Sequence, residues 1–162
     1  MRKYYMSNKF TIRPLCYTDK EPWLEMWNDY IQFYKTTCSS EVTEHTFNKL
    51  LAGDKHIGCL VASENNNVCV GFLTYIAHFT TWKILPVCYL NDLFVKANYR
   101  QSGIAKLLLE KLYEIAKNEK WSRIYWLTKP DNKIARQFYD KIAKGDEWVR
   151  YILNLDKDTV NS

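Results

Sequence analysis

The chain has 162 residues, of which 47% are hydrophobic and 15% aromatic, and its formal net charge is +5. That length fits one domain, residues 1–162, able to bury a full core, and the apolar content excludes a disordered chain. No apolar run approaches the ~20 residues of a membrane-spanning helix, and the scattered Lys and Arg residues argue against nucleic acid as a partner.

The N-terminal residues lack the apolar core of a signal peptide, so a cytoplasmic protein is expected. Phe10 to Arg13 reads as a short first strand ended by Pro14. Thr18 or Asp19 then caps a helix, with Pro22 in its first turn. Trp23, Met26, Trp27, Tyr30, Ile31 and Tyr34 follow at helical spacing, a stripe suited to the core. Its C-terminal end, with Tyr30, Phe33 and Tyr34, also suits the wall of a substrate cleft. A second helix runs over 41–51 and Gly53 can end it in a left-handed conformation. His45 is expected at the surface. Residues 57–63 and 68–77 read as two strands joined through Asn65, Asn66 and Asn67, a residue type that tolerates the positive φ of a hairpin turn. A polar and aromatic connector over 79–83 carries Trp82.

Residues 89–95 form a further strand, mostly apolar, with Asn91 and Asp92 embedded in it. A polar turn over 96–99 leads into Arg100-Gln-Ser-Gly-Ile-Ala105 and a periodic apolar helix over 102–118. Residues 123–128 are the next strand, ended near Pro130. Asp131 or Asn132 caps a fourth helix to about residue 143, Gly145 closes it, and 148–153 is a last strand. The order is β-α-α-β-β-β-α-β-α-β, which makes a mixed sheet with helices on both faces. Five cysteines (Cys16, Cys38, Cys59, Cys69 and Cys88) include no Cys-x-x-Cys pair, so no metal site is expected. Cys59, Cys69 and Cys88 lie in apolar runs and read as small core residues.

The stretch from Arg100 to Ala105 is the chemical centre of the sequence. A strand, a tight turn at Gly103 and a helix N-terminus together hold an anion well. The first helical amides have no intrahelical acceptor, the macrodipole is positive there, and Gly103 lets a ligand approach the backbone. The pattern R-x-x-G-x-A is neither a Walker loop nor a dinucleotide fingerprint.

Taken together, Leu90-Asn-Asp-Leu-Phe-Val95, Arg100-x-x-Gly103-x-Ala105, the leucine-rich helix, Tyr125-Trp-Leu-Thr128 and Asn132-x-x-Ala135-x-x-x-Tyr139-x-Lys141 resemble the GNAT superfamily of N-acetyltransferases, in particular its diamine and histone acetyltransferase-like branches. The resemblance covers about residues 85–153, the expected cofactor-binding core. It implies an α/β (α+β) acyl-CoA N-acyltransferase fold with a mixed twisted sheet, and acetyl-CoA as cosubstrate. It implies that strands 89–95 and 124–128 splay apart around the pantetheine arm, with the backbone of Phe94 and Val95 pairing with it. The amides of Gln101, Ser102, Gly103, Ile104, Ala105 and Lys106 would hold the pyrophosphate, with charge from Arg100 and Lys106, and Asn132 would contact the cofactor arm. Tyr139 would stand near the thioester sulfur.

The implied reaction is attack of a primary amine on a thioester. An alkyl amine with a pKa near ~10.4 is mostly protonated at neutral pH, so a base must take its proton. Diamine acetyltransferases typically have glutamate where this chain has Asn91, which cannot accept a proton. Asp92, His78 or a water relay remain as candidates, and the facing of Asp92 depends on whether the strand is bulged. Backbone amides such as those of Leu93 and Phe94 would stabilise the oxyanion. Tyr30, Asn91, His78 and Trp82 are the candidate acceptor-binding residues, for a polyamine, another small amine or a protein lysine. The alternative is a catalytically silent module that holds a CoA species. The aromatic-rich surface suggests a homodimer.

Overall fold

The computed structural model describes residues 9–64 and 68–155, with the backbone of 5–6. The chain divides into two compact units, 1–126 and 127–162. The first unit holds a six-stranded sheet in sequential order: β1 (Tyr5–Met6), β2 (Phe10–Pro14), β3 (Ile57–Glu64), β4 (Val68–His78), β5 (Val87–Val95) and β6 (Ile124–Tyr125). All neighbours are antiparallel except β5 and β6, which are parallel. The unit's helices are α1 (Lys20–Phe33), α2 (Ser40–Leu51) and α3 (Ile104–Asn118). The second unit holds α4 (Lys133–Tyr139).

The helices cover both faces of the sheet. Phe72 in β4 packs against Trp23 and Trp27 of α1, with ring centroids 6.3 Å apart in each case. The neighbouring Gly71 faces the other way. A Cβ built there would stand 3.3 Å from Ile104 of α3 and 2.8 Å from the Phe94 carbonyl oxygen. Glycine is needed at that position chiefly because the Phe94 carbonyl of the neighbouring strand approaches so closely, and the first turn of α3 adds to the crowding. Between α1, α2 and the sheet, Trp23, Met26, Phe47, Phe72 and Val61 are fully buried, each large side chain contributing on the order of 1.5–3 kcal/mol. Cys59, Cys69 and Cys88 are buried as the sequence suggests, and His45 is exposed.

Several boundaries differ from the sequence reading. α2 starts at Ser40, one residue earlier than expected, where Ser39 caps it by accepting from the Val42 amide at 3.2 Å. The expected Asn65–Asn67 turn lies outside the described residues. The strand expected over 123–128 is confined to Ile124–Tyr125, because a ladder requires a neighbour and β6 pairs with β5 only at Cys88↔Ile124 and Tyr89↔Tyr125. The strand expected over 148–153 forms no ladder among the described residues. Trp148, Tyr151 and Leu153 are exposed there, and β-favouring residues without a partner edge remain irregular.

Asp19 does not cap α1 with its side chain. Its carboxylate instead takes a bidentate pair from Arg13, Nη1–Oδ2 2.6 Å and Nη2–Oδ1 2.7 Å, and accepts the Cys16 amide at 2.9 Å. This ties β2 to the entry of α1. Burial by itself would raise the Asp19 pKa, but the Arg13 and Cys16 hydrogen bonds outweigh it and hold the group at about 2. A carboxylate depressed in the folded state stabilises the fold above its unfolded pKa of ~3.9 and loses that contribution as pH falls toward 2. Acid titration followed by circular dichroism is therefore expected to show about 2 kcal/mol of stability lost between pH 4 and pH 2 from this pair. Asp19→Asn is expected to cost about 3 kcal/mol at pH 7 by leaving Arg13 unpaired, and to flatten that acid slope.

Candidate functional site

The turn between β5 and α3 is shaped by local backbone geometry. A 3-10 turn at Ala97–Tyr99 leads into Arg100, and then Gln101 and Gly103 take φ values of 62° and 85°. A left-handed non-glycine residue is uncommon and is held here by its surroundings. The Ser102 hydroxyl donates to the Tyr99 carbonyl. No side chain caps α3, and the first bond closing onto its N-cap runs from the Leu107 amide to the Gly103 carbonyl at 3.1 Å. The amides of Ile104, Ala105 and Lys106 therefore have no acceptor within the helix. A Cβ at Gly103 would meet nothing within 4 Å, so the space beside Gly103 itself is open. Lys106 lies 3.7 Å from Glu110. Arg100 turns back from the helix: its Nε donates to the Val95 carbonyl at 3.2 Å, and its guanidinium lies 5.6 Å from the Phe33 ring and 5.9 Å from the Phe94 ring.

Beside this turn, β5 has an open edge. Its last register pair with β6 is Tyr89↔Tyr125. On the other side, the Lys96 amide donates to the Val70 carbonyl of β4 at 2.9 Å. By alternation, the backbone groups of Phe94 also face β4, and those of Leu93 and Val95 face the edge that β6 has left. The Val95 carbonyl on that edge is taken by Arg100, and the remaining groups, those of Leu93 and the Val95 amide, suit an extended ligand that pairs as an added strand.

Where β6 departs, β5 is bulged. Thr74 pairs with Asp92 but Tyr75 pairs with Leu90, leaving Asn91 without an opposite residue. Asp92 lies on the same face as Phe94 by alternation and opposite Thr74, under α1, with only 9% exposure, and the bulge brings Tyr89 rather than Leu90 onto that face. The Thr74 hydroxyl donates to Asp92 Oδ2, and Asn91 Nδ2 donates to the same oxygen at 2.8 Å. The Tyr30 phenol lies beside the same carboxylate and Tyr34. Burial, then the Asp92 charge, push the Tyr30 phenol well above its usual range, so it stays a donor. Burial also pushes Tyr34 up. The Tyr30 ring is held edge-on by Phe72 at 5.8 Å and Phe94 at 6.1 Å. All these donors to Asp92 are neutral, and among the described residues no basic side chain forms an ion pair with it.

Tyr30, Asn91 and Asp92 are thus brought together, and Thr74 joins them. Thr74 was not singled out in the sequence, although a lone hydroxyl inside the apolar run of β4 was its signal. His78 stands four residues beyond Thr74 on β4, about 13 Å along the strand. There its Nε2 lies 2.8 Å from the Tyr125 hydroxyl and its Nδ1 2.9 Å from the Phe79 carbonyl. Trp82 is 88% exposed on the connector between β4 and β5. In the second unit, Asn132 caps α4 by accepting from the Ala135 amide at 3.4 Å and donates to Thr128 at 3.3 Å. Tyr139 is the half-buried last residue of α4, its ring 5.6 Å from that of Phe138.

Comparison with known proteins places this geometry. The model of the acetyltransferase (GNAT) family matches residues 19–143. The chain is 29% identical over 150 residues to a D-amino-acid N-acetyltransferase of Saccharomyces cerevisiae, covering 92% of this chain and 93% of that protein. It is 32% identical over 95 residues to a thialysine N-epsilon-acetyltransferase of Bos taurus, covering 54% and 55% of the two chains. Among solved structures, the aminoglycoside acetyltransferase AAC(6')-Iy in complex with a CoA-linked bisubstrate analogue superposes with a TM-score of 0.77 at 20% identity, over 90% of this chain and 97% of that one. An aminoglycoside acetyltransferase from an uncultured soil metagenomic sample, in complex with trehalose, gives 0.78 at 21% identity, over 94% and 100%.

Because Gly103 has open space around it but a left-handed φ, Gly103→Ala isolates backbone strain from steric clash. Chemical denaturation is expected to show a loss of about 1–2 kcal/mol.

Proposed function

The chain belongs to the acetyltransferase (GNAT) family and is an acetyl-CoA-dependent N-acetyltransferase acting on an amine, and we propose that Asp92 is the group that receives the acceptor and takes its proton. The observation that carries this reading is the carboxylate itself: buried, held by two neutral donors beside the Tyr30 phenol, without a cationic partner among the described residues, and set beside the point where β5 loses β6. An incoming ammonium supplies the missing positive charge.

The cosubstrate is laid out by the chain's own backbone. The amides of Gln101 to Lys106 receive the pyrophosphate at the uncapped start of α3. The pantetheine arm runs along the open edge of β5, pairing with Val95, and the Leu93 amide faces the developing oxyanion. Phe94 serves through its ring, which holds Tyr30. Arg100 braces the end of β5 and adds positive charge, as does Lys106.

Chemically, the ammonium loses one proton to Asp92, directly or through one water. The freed nitrogen lone pair then forms the new bond to the thioester carbon. Collapse breaks the carbon–sulfur bond, and the sulfur leaves with a proton donated by Tyr139, which regains one from the acylated nitrogen by way of solvent. Asn132 orients the cofactor arm. Asn91 steadies Asp92 and does not act as a base. The support for Tyr139 and Asn132 is the residue pattern Asn132-x-x-Ala135-x-x-x-Tyr139 that the chain shares with the family. The family match spans both units, which supports one functional domain over 1–162.

A small amine is the acceptor class that fits best. The relatives are named for a D-amino acid and thialysine, and structural neighbours for aminoglycosides. Five free thiols suit a reducing cytoplasm. The exposed Trp82 and Ile84 on one connector support a homodimer, for which sedimentation gives the direct test.

Two variants test the chemistry. Asp92→Asn is expected to lower kcat by about 10²–10⁴-fold while calorimetric binding of acetyl-CoA is retained; unchanged turnover would remove Asp92 from the mechanism. Tyr139→Phe is expected to lower kcat less for an acceptor-independent leaving thiolate that is already activated, such as an aryl thioester, than for acetyl-CoA. Equal losses with both donors would show that Tyr139 does not protonate the sulfur.

A further inference from the structure

The face of the sheet that carries Asp92 continues past the reacting centre. Along β4, Thr74, Ile76 and His78 alternate onto one face. Ile76 pairs with Tyr89 of β5, which pairs in turn with Tyr125 of β6. Ile76 is 37% exposed, and Tyr89 and Tyr125 are half-buried, so α1 does not close this part of the face. The Tyr89 and Tyr125 rings lie 5.1 Å apart and 37° from parallel. Arg123, two residues before Tyr125 and hence on the same face, places its guanidinium 5.4 Å from the Tyr125 ring centroid.

Tyr125 is fixed from behind. In the neutral imidazole of His78, the nitrogen facing the Phe79 carbonyl must carry the proton, which leaves Nε2 to accept from the Tyr125 hydroxyl. The ring is therefore a rigid platform, and Arg123 is the cation laid on it. Arg123 is exposed and, among the described residues, forms no ion pair.

The face thus presents a carboxylate at Asp92, an aromatic floor at Tyr89 and Tyr125, and a guanidinium beyond. Tyr89 lies three residues before Asp92, about 10 Å along the strand. Resting on the assignment of Asp92 above, we propose that Arg123 binds the carboxylate of a zwitterionic acceptor whose reacting amine lies a lysine side chain's length away. The acceptor is an amino acid acetylated on its terminal side-chain amine, with its methylenes over the tyrosine rings. A carboxylate adjacent to the amine would fall short of Arg123 and would lie against Asp92, where like charges repel. A guanidinium meets a carboxylate with paired hydrogen bonds, so the contact selects acids over amines of the same length.

The test uses the full chain with acetyl-CoA and three acceptors: lysine, cadaverine (the same diamine without the carboxylate) and alanine. Lysine is expected to be preferred, with the acetyl group on its side-chain nitrogen by mass spectrometry. Arg123→Gln is expected to raise KM for lysine about tenfold or more with kcat little changed, and to leave cadaverine unaffected. Arg123→Lys is expected to restore part of the loss. The proposal is overturned if Arg123→Gln affects lysine and cadaverine alike or affects neither, or if lysine is acetylated on its α-amine. Arg123→Gln with unchanged cadaverine turnover also reports that the acetyl-transfer machinery is intact. Failure of the wild type to acetylate any amine would instead strike the assignment of Asp92, and this inference with it.

Discussion

One extra residue in β5 organises the site. With Asn91 unmatched against β4, the alternation of the strand shifts, and Tyr89 rather than Leu90 shares the face of Asp92, Phe94 and Thr74. Without that slip Leu90 would lie on that face and Tyr89 on the other. The same short stretch is where β6 stops pairing with β5. A single irregularity therefore lies between the buried carboxylate and the tyrosine beside it, at the point where the backbone edge opens. Bulges commonly re-aim a side chain in this way, and the cost of an unpaired residue is borne by the surrounding ladder.

The aromatic content of the chain serves that carboxylate. Trp23, Trp27, Phe72 and Phe94 form a packed group around Tyr30, and the packing holds the Tyr30 phenol beside Asp92. A buried carboxylate without donors would be expensive. Here Thr74 and Asn91 donate to it, and among the described residues no cation pairs with it. A preorganised group of this kind needs little rearrangement when a cation arrives. The Arg13–Asp19 pair contrasts with it. There the cation is already present, the charge is neutralised, and the role is to hold β2 against the entry of α1.

The turn at Gly103 was readable because its geometry is local. Gly103 must adopt a left-handed φ, Ser102 satisfies the Tyr99 carbonyl, and the absence of a capping side chain at the start of α3 follows from the residues themselves. Arg100 could not be read so easily. Its side chain answers to Val95, Phe33 and Phe94, which only the fold brings within reach. Asp19 is a similar case. Beside a helix start its sequence position suggests a cap, yet a half-buried Arg13 offers a stronger, charge-assisted partner.

Periodicity and turn chemistry, which depend on neighbours a few positions apart, were enough to determine the helices, the order of strands from β2 to β5, the buried cysteines and the turn at Gly103. The family pattern in residues 90–141 followed from the same local record. Tertiary structure alone decided that Asn91 is the bulged residue, that Thr74 and Tyr30 meet Asp92, that β6 pairs over only two positions, and that His78 answers to Tyr125. Each of those depends on register between strands or on contact between elements far apart in the chain. The residues on either side of such a contact carry no mark of it until a ladder and a helix bring them together.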